Sequence, residues 1–258
     1  MRTVVILAMR AEARTAAATR GWRPSPHGPR LDAPLAANAS ISWIQAGPGA
    51  VRTDRAARAA LAEGAELLVS LGVSGGLDPV LRPGDLAIAS EVVDAGDPAG
   101  PPLQTSLQAS SRLAELLRQS GRPAMRGPVA ATHSPLSRPG DKADLFRRCG
   151  ALCVDMESLA AGRAATETGT PFLCLRAVSD PAERGLPRLA TQALAADGSL
   201  HALQLIRGLA LAPWTIFALA RLGSEFSAAK RSLALAGRSL ERLAVELSAS
   251  GGHLCVDS

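Results

Sequence analysis

The stretch LLVSLGVSGGLDP, residues 67–79, decides the fold class. Its first seven residues form an apolar run interrupted by one polar residue, Ser70, which is typical of a strand covered on both faces. Gly72, Gly75 and Gly76 come at the end of that run and predict a tight loop at the carboxyl edge of a sheet. Open α/β sheets bind ligands at this edge, so the loop is a candidate binding site. A tight strand exit that contacts no ligand is the alternative interpretation.

Similar apolar runs recur along the chain and alternate with Ala-rich segments of helical character. The predicted strands cover residues 3–9, 41–46, 67–73, 86–93, 129–132, 152–156 and 172–178. The predicted helices cover residues 12–19, 50–63, 107–119, 142–148 and 158–168, and two Pro/Gly-rich stretches, 21–34 and 95–102, are predicted loops. This alternation predicts a three-layer α/β/α fold with a mixed, mostly parallel central sheet.

The pattern changes at about residue 199, where strands cease and helical segments follow. Three helices are predicted, over residues 201–211, 213–222 and 224–248. In the last of these, Phe226, Leu233, Leu240, Leu243 and Leu247 are spaced to share one face. We therefore predict two parts, a domain of residues 1–198 and a C-terminal helical extension, or appendage, of residues 199–258.

The composition excludes several classes of binding protein. Only 3% of the 258 residues are aromatic and none is Tyr, so the ring platforms that stack on single-stranded nucleic acid are not expected. The net charge is +5, but the basic residues are spread along the whole chain, which indicates a solvated surface rather than a nucleic-acid site. An anionic membrane surface remains compatible with this charge.

Cysteine and histidine usage indicates no metal centre. The four Cys form no CxxC motif and the four His lie far apart, so a structural zinc site is not expected. Cys153 and Cys174 lie inside apolar runs and are expected in the core, which fits a reducing cytoplasm. No stretch reaches the 18 or so apolar residues of a membrane-spanning helix.

Two further motifs follow predicted strands and carry glycines or carboxylates. Gly47-Pro48-Gly49 precedes a predicted helix, where backbone N–H groups can bind an anion, although bare turn glycines explain it equally well. Val154-Asp155-Met156-Glu157-Ser158 brings Met156 and Glu157 to a helix start, where acidic residues are also common without any ligand.

The remaining candidates are Arg176, Asp180 and Glu12. Arg176 lies within a predicted buried strand, which is costly unless the charge is paired, so a polar cavity is expected beside it. Asp180 ends that strand before Pro181, where an Asx turn is the alternative. Glu12 alone would be an ordinary first-turn helix residue, yet strand ends bring it, Glu157, Arg176 and Asp180 toward one edge of the sheet.

These motifs, in this order, resemble those of the nucleoside phosphorylase / 5′-methylthioadenosine nucleosidase superfamily. The similarity covers residues 3–185 and is carried by LAMRAEA, QAGPGAVRTDRAA, LLVSLGVSGGLDPVLRPGDLAIASEVV and CVDMESLAAGRAATETGTPFLCLRAVSD. Within this superfamily the chain resembles the hopanoid-associated phosphorylases, or adenosylhopane nucleosidases, through SDPAERGLP, ALAADG and the helical tail. The resemblance implies the same fold, a nucleoside phosphorylase-like catalytic domain in residues 1–198, and a homodimer.

The resemblance also implies roles for single residues. Asp180 would protonate or hydrogen-bond purine N7, Glu12 would activate the attacking water, and Arg176 would orient that nucleophile. Glu157 would hold the ribose hydroxyls. Further substrate contacts are expected from Met156, Ser179, Gly75, Ser74, Gly47 and Gly49. No metal or other cofactor is expected, although phosphate stays open as a co-substrate.

Two departures from the family pattern leave the acceptor open. Arg10 stands in LAMRAEA where nucleosidases tend to have adjacent Glu, and Val73 stands where relatives often have a polar residue. Glu12 favours water as the acceptor, whereas Arg10, Arg52 and Arg55 would suit phosphate. With no Tyr to cover the purine, residues 132–136 are the candidate wall for the base.

The sequence therefore predicts an enzyme that releases adenine from a 5′-substituted adenosine. Adenosylhopane is the first candidate substrate, giving ribosylhopane or its 1-phosphate, and apolar residues of the tail (Leu209, Leu211, Trp214, Ile216, Phe217 and Leu219) would contact the membrane. The alternatives are a soluble methylthioadenosine/S-adenosylhomocysteine nucleosidase and a nucleotide-sensing module without turnover. The predicted location is the cytoplasm, with peripheral contact to the inner face of the membrane and no nucleic-acid partner.

Overall fold

The computed structural model describes residues 1–17, 21–185 and 215–250, which form nine strands and six helices. The strands are β1 Arg2–Leu7, β2 Arg30–Ala36, β3 Ala39–Gln45, β4 Leu67–Gly76, β5 Leu86–Asp94, β6 Leu103–Gln104, β7 Ala124–Ala131, β8 Cys153–Asp155 and β9 Phe172–Asp180. The helices are α1 Arg10–Ala16, α2 Ala50–Ala62, α3 Leu107–Gln119, α4 Pro139–Cys149, α5 Ser158–Glu167 and α6 Thr215–Ala249.

The strands form one mixed sheet in the order β2-β3-β1-β4-β8-β7-β5-β6, with β9 pairing to both β4 and β5. Strand β9 runs parallel to β4 and antiparallel to β5, so β4, β8, β7, β5 and β9 close into a ring. This closure brings the end of β9 beside the glycine-rich end of β4, where Gly75 pairs with Asp180. The same glycine pairs with Val154 of β8 on its other side, so three strand ends meet there.

Helices cover the sheet on two faces and complete a three-layer core. Helices α2 and α5 pack through alanines such as Ala57 and Ala161 against one buried cluster. Helices α3 and α6 pack through larger residues such as Leu113 and Leu240 against the other, to which α1 adds Ala13 and Ala16. The predicted fold class is confirmed, and each of the seven predicted strands overlaps an observed one.

One predicted loop is wrong in its second half. Residues 21–34 were expected to be irregular because of their Pro and Gly, but β2 begins at Arg30 and pairs antiparallel with β3. Only one neighbour pairs with β2, so it is an edge strand, and an edge strand tolerates Pro34 because one side of its backbone needs no partner.

The C-terminal helix is longer than predicted. The expected break between residues 222 and 224 is absent, because α6 runs as one helix of 35 residues through Gly223. A single glycine costs a helix only about 1 kcal/mol and does not end it when tertiary packing supports both sides. No helix within the described residues is long and apolar enough to cross a membrane.

The apolar face predicted for α6 is buried in the main core. Leu233, Leu240 and Leu243 are fully buried there, so this helix is an integral part of the domain it covers. A Cβ on Gly237 would lie 1.8 Å from the carbonyl oxygen of Ala16, so the backbones of α1 and α6 are in direct contact there. The division at residues 198/199 and the predicted helix over 201–211 lie outside the described residues, and the division stays a prediction.

Candidate active site

Glu12 sits at the junction between the end of β1 and the start of α1. Its carboxylate accepts hydrogen bonds from the backbone N–H of Met9 at 2.7 Å and of Val73 at 2.8 Å. The second bond ties α1 to the end of β4. Gly72 makes this approach possible, since a Cβ there would lie 3.0 Å from Glu12 Oε1. Burial raises the pKa of Glu12 from 4.5 to about 7, and the two N–H groups only partly oppose that rise.

Arg176 is buried inside β9 with its charge fully paired, as its sequence position predicts. Its Nε donates to the Asp155 carboxylate, and its Nη2 donates to Ser70 Oγ at 2.6 Å. Asp155 also accepts from the backbone N–H and hydroxyl of Ser158, so it caps α5 and holds Arg176 at once. Burial acts to lower the pKa of Arg176, but Asp155 and neighbouring acidic groups outweigh it and keep the guanidinium charged.

Glu157 lies at the N-cap of α5 and points to the loop before α2. Its Oε1 accepts from the N–H of Gly49 at 2.8 Å, and its Oε2 accepts from the N–H of Met156 at 3.2 Å. Burial, together with the nearby Asp155 carboxylate, raises the pKa of Glu157 above its ordinary range. The predicted anion loop is therefore already engaged, because one of its N–H groups is bound by a carboxylate of the protein.

These residues form what we call the Glu12 cluster, consisting of Glu12, Asp155, Glu157 and Arg176. Three of the four line one small cavity at the end of β1 and β4, and Asp155 supports Arg176 from behind. The cluster contains three carboxylates and one guanidinium, so it has more acid than base. A buried site of this kind holds a proton readily and can act as a general base near neutral pH.

Asp180, the last residue of β9, lies in a second polar site. It is 4% exposed, and its Oδ2 accepts a hydrogen bond from the ammonium of Lys142 on α4. Its Oδ1 lies 2.6 Å from the hydroxyl of Ser179, which also reaches the carbonyl oxygen of Ser74 at 3.1 Å. Asp180 and Lys142 are called the Lys142–Asp180 pair below.

The other predicted contacts surround these two sites. Gly75 lies beside the pair, since a Cβ there would be 3.4 Å from Asp180 Oδ2. Met156 is half-buried and precedes Glu157, while Ser74 is buried within β4. Gly47 has a φ of +91° and packs against the side chain of Arg52, which a Cβ would approach to 2.9 Å. The predicted site residues thus lie at or after the ends of β1, β3, β4, β8 and β9.

Residues 132–136, the predicted wall for the base, border a separate and larger cavity. It has a volume of about 650 Å³ and is bounded by the loop after β7 and by α4. The N–H of Thr132, which lines this cavity, donates to the carbonyl oxygen of Asp155 at 2.8 Å. Asp155 directly precedes Met156 in the chain, so the cavity lies close to the predicted substrate contacts. The position of the cavity is compatible with residues 132–136 as the wall for the base, and this role stays a prediction.

Sequence reasoning missed Lys142 and gave no role to Asp155. Asp155 had a visible signal, because it lies two residues before Glu157 in the same motif. Lys142 had none, because the surrounding sequence GDKAD is charged and typical of an exposed helix start. Within the described residues, no group of three or more His, Cys, Asp or Glu side chains is arranged to hold a metal ion.

Comparison with known proteins agrees with this architecture. Residues 2–210 match the family described as the phosphorylase superfamily. A 5′-methylthioadenosine/S-adenosylhomocysteine nucleosidase of Geobacillus kaustophilus is 32% identical over 130 residues, covering 45% of this chain and 55% of the relative. The chain thus spans about half the length of the curated relatives that it matches.

Solved structures show the same fold over almost the full length. The 5′-methylthioadenosine/S-adenosylhomocysteine nucleosidase of Helicobacter pylori, solved with a bound ligand, superposes with a TM-score of 0.72 at 17% identity, covering 96% of this chain and 99% of that one. The futalosine hydrolase of the same organism superposes with a TM-score of 0.71 at 17% identity, covering 96% and 98%. By its sequence match over residues 2–210, the chain belongs to the phosphorylase superfamily.

Proposed function

We propose that this protein cleaves the N-glycosidic bond of a 5′-substituted adenosine by hydrolysis and releases adenine. The observation that carries the proposal is the placement of a buried carboxylate pair, Glu12 and Glu157, in one cavity, with Asp180 at the end of the neighbouring strand. Breaking this bond builds positive charge on the sugar and negative charge on the base, so carboxylates near the sugar and an acid near the base both lower the barrier.

On the base side, Asp180 is the proposed general acid. When the C1′–N9 bond breaks, its electron pair passes to the purine, and the proton of Asp180 passes to N7. Before this transfer, Ser179 can turn its hydroxyl to the carbonyl oxygen of Ser74, which is its second acceptor at 3.1 Å. This alternative frees Oδ1 of Asp180 to face the base.

On the sugar side, Glu12 is the proposed general base. It takes a proton from the water that attacks C1′, and a pKa of about 7 makes it a stronger base than an ordinary carboxylate. Glu157 accepts hydrogen bonds from the ribose hydroxyls, and Arg176, fixed by Asp155 and Ser70, orients the nucleophile. Met156, Ser74, Gly75, Gly47 and Gly49 are proposed to border the substrate.

The site favours water over phosphate as the acceptor. The N–H of Gly49, which would be a natural phosphate donor, already donates to Glu157. Arg10, Arg52 and Arg55 are exposed rather than turned into the cavity beside Glu12. A phosphate in this cavity would also lie next to the excess carboxylates of the Glu12 cluster, which would repel it.

For the 5′ substituent we propose the hopane of adenosylhopane, with methylthioadenosine or S-adenosylhomocysteine as the second candidate. Support for the first comes from the motifs SDPAERGLP and ALAADG and from the apolar tail. Support for the second comes from the relatives that carry this activity in their names. The face of α6 that carries Leu233 and Leu240 is buried in the core, so a lipid contact would fall to residues 199–222.

The same resemblance supports a homodimer in the cytoplasm that contacts the inner face of the membrane through this part of the tail. A nucleotide-sensing module without turnover is the alternative of a different class. Nothing in the proposed steps calls for a metal or another cofactor, because proton transfer and charge stabilisation are supplied by side chains.

Adenine release tests the proposal directly. The purified protein is incubated with adenosylhopane in detergent and, separately, with methylthioadenosine and S-adenosylhomocysteine, each with and without phosphate or arsenate. We expect adenine from at least one of these compounds, fastest from adenosylhopane, at a rate that phosphate and arsenate leave unchanged. Glu115→Gln, at the surface of α3, serves as the control variant and should keep the full rate.

Each part of the proposal has its own contrary result. No adenine from any of the three compounds would support the sensor, and a rate that requires phosphate would show phosphorolysis. Faster turnover of methylthioadenosine than of adenosylhopane would favour the soluble nucleosidase. Flotation with anionic liposomes tests the tail, and equal flotation after alanine replacement of Trp214, Ile216 and Phe217 would refute a lipid contact there.

A further inference from the structure

Lys142 is a fully buried lysine that the proposed mechanism does not yet use. It is 0% exposed, although it lies in the first half of α4 among exposed residues. Its Nζ contacts the carboxylate of Asp180 and donates to the carbonyl oxygen of Pro181 at 3.0 Å. Removing an ammonium from water costs several kcal/mol unless an opposite charge compensates for it. The burial of Lys142 is therefore sustained by Asp180.

Within the part of the chain that the structure describes, no second charged group contacts the pair. From β4 the neighbours are Gly75 and Gly76, where added Cβ atoms would lie 3.4 Å from Asp180 Oδ2 and 3.1 Å from its carbonyl oxygen. From β8 they are Val154 and Cys153. Burial raises the pKa of the Cys153 thiol to about 12, so this thiol is neutral. From β9 comes the hydroxyl of Ser179.

Other charged groups near this end of the sheet are engaged elsewhere. Arg176, four residues before Asp180 on β9, is bound to Asp155. On α4, Asp141 pairs with Arg138 and Asp144 pairs with Arg147 at the helix surface. After β9, Glu183 pairs with Arg82. Within the described residues, Lys142 is thus the charged group that contacts the Asp180 carboxylate.

We propose that Lys142 sets the acid strength of Asp180 by stabilising the carboxylate that remains after the proton has passed to the departing base. This inference rests on the proposed role of Asp180. The proton moves from Asp180 Oδ1 to purine N7, the electron pair of the C1′–N9 bond stays on the purine, and the new carboxylate is neutralised by the Lys142 ammonium at Oδ2. Solvent returns a proton to Asp180 before the next turnover. Lys142 is a positioning residue, since it acts through Asp180.

A stronger acid gives up its proton more easily but also loses it to solvent at lower pH, and this trade-off gives the proposal its test. Without the ammonium, Asp180 keeps its proton to higher pH yet transfers it less readily. A purely structural lysine would instead change the rate equally at every pH. The pH profile of kcat/KM therefore separates the two roles.

The chain offers a matched control, because Lys142 and Lys230 are its only lysines. Lys230 lies on α6 with its Nζ 5.7 Å from the centroid of Phe226. We compare wild type, Lys142→Met and Lys230→Met over pH 5 to 10, measuring adenine release. For Lys142→Met we expect roughly a 10- to 100-fold lower maximum and an alkaline limb moved upward by about one pH unit or more. Lys230→Met should follow the wild type.

A second measurement covers the case in which Lys142→Met does not fold. Protein labelled with ¹⁵N at Nζ of lysine carries two side-chain signals, which Lys230→Met assigns. In Asp180→Asn protein the Lys142 signal should move while the Lys230 signal stays in place. An unmoved Lys142 signal would overturn the pairing and with it the proposal.

The outcomes separate this inference from the proposed function. An inactive wild type overturns both. An active wild type with a strongly impaired Asp180→Asn variant, but with an unmoved alkaline limb in Lys142→Met, overturns the role of Lys142 alone. A moved limb with an unaffected Lys230→Met variant supports the proposal.

Discussion

The Glu12 cluster and the Lys142–Asp180 pair bury carboxylates in opposite ways. Glu12 is held by the N–H groups of Met9 and Val73 in a cluster where acids outnumber the single guanidinium. Asp180 instead contacts the ammonium of Lys142. Burial raises the pKa of Glu12 and makes its carboxylate a stronger base, whereas the ammonium of Lys142 is placed to stabilise the carboxylate that is left when Asp180 gives up its proton. One sheet edge can therefore supply both kinds of proton transfer.

Removing the acid from the pair should have the largest effect. Asp180→Asn keeps the size of the side chain but cannot donate the same proton, so kcat/KM for adenine release should fall by about 10²- to 10⁴-fold. The variant also leaves Lys142 without its counter-charge, so its folding is checked by circular dichroism. A folded variant with near-wild-type activity would show that Asp180 is not the general acid.

Removing the base from the cluster should give a comparable loss with a different pH signature. In the wild type, kcat/KM should decrease as the pH falls below about 7, because Glu12 with a pKa of about 7 takes up a proton and can no longer accept one from water. Glu12→Gln should lower the rate by about 10²-fold and abolish this acid limb. An acid limb that persists in the variant would assign it to another group.

Removing the guanidinium should break the cluster as a structure. Arg176→Met leaves Asp155 buried without its partner, so the free energy of unfolding should fall by about 3–5 kcal/mol in urea titrations. Arg58→Met is the matched control, since Arg58 pairs with Asp54 and Glu167 on the exposed surface and its loss should change the free energy of unfolding far less. Equal losses in the two variants would contradict the buried charge balance described for the cluster.

The smallest expected effect is the pH dependence of stability that Glu12 causes. Its folded pKa of about 7 lies above the ordinary 4.5, so its stabilising contribution is present below about pH 4.5 and is lost as the pH rises to about 7. The loss is at most about 3.5 kcal/mol, since one pKa unit corresponds to about 1.4 kcal/mol. Unfolding in urea at pH 5 and pH 8 should show this difference in the wild type and a smaller one in Glu12→Gln. If Glu12→Gln shows the same difference in stability between pH 5 and pH 8 as the wild type, a group other than Glu12 causes it.

Much of the fold could be predicted because its signals are local. Continuous apolar runs gave the seven strands that overlap β1, β3, β4, β5, β7, β8 and β9, and the spacing of leucines gave the buried face of α6. Strand β2 was missed, because Pro and Gly at an edge strand have the same local pattern as a loop. The helix break near Gly223 was predicted wrongly, because packing on both sides outweighs the preference of one residue.

The candidate site, like the fold, could be predicted only in part. Glu12, Glu157 and Asp180 could be named from the sequence, because Asp180 ends a strand and the other two come within five residues of a strand end, where open sheets hold their ligands. The pKa of Glu12 could not, because it depends on burial and on the distant residues Val73 and Glu157. Lys142 was invisible for the same reason, since its partner lies 38 residues away.

The sequence by itself determined the α/β layering and the kinds of side chain that reach the sheet edge, because periodicity and strand ends are properties of neighbouring residues. Only the tertiary structure decided which charges meet. Strand β9 pairs with both β4 and β5, and this closed ring sets Asp180 beside Gly75, where α4 can bury Lys142 against it. A charge buried this way is stable only with its partner, and that partner is chosen by the packing of elements far apart in the chain.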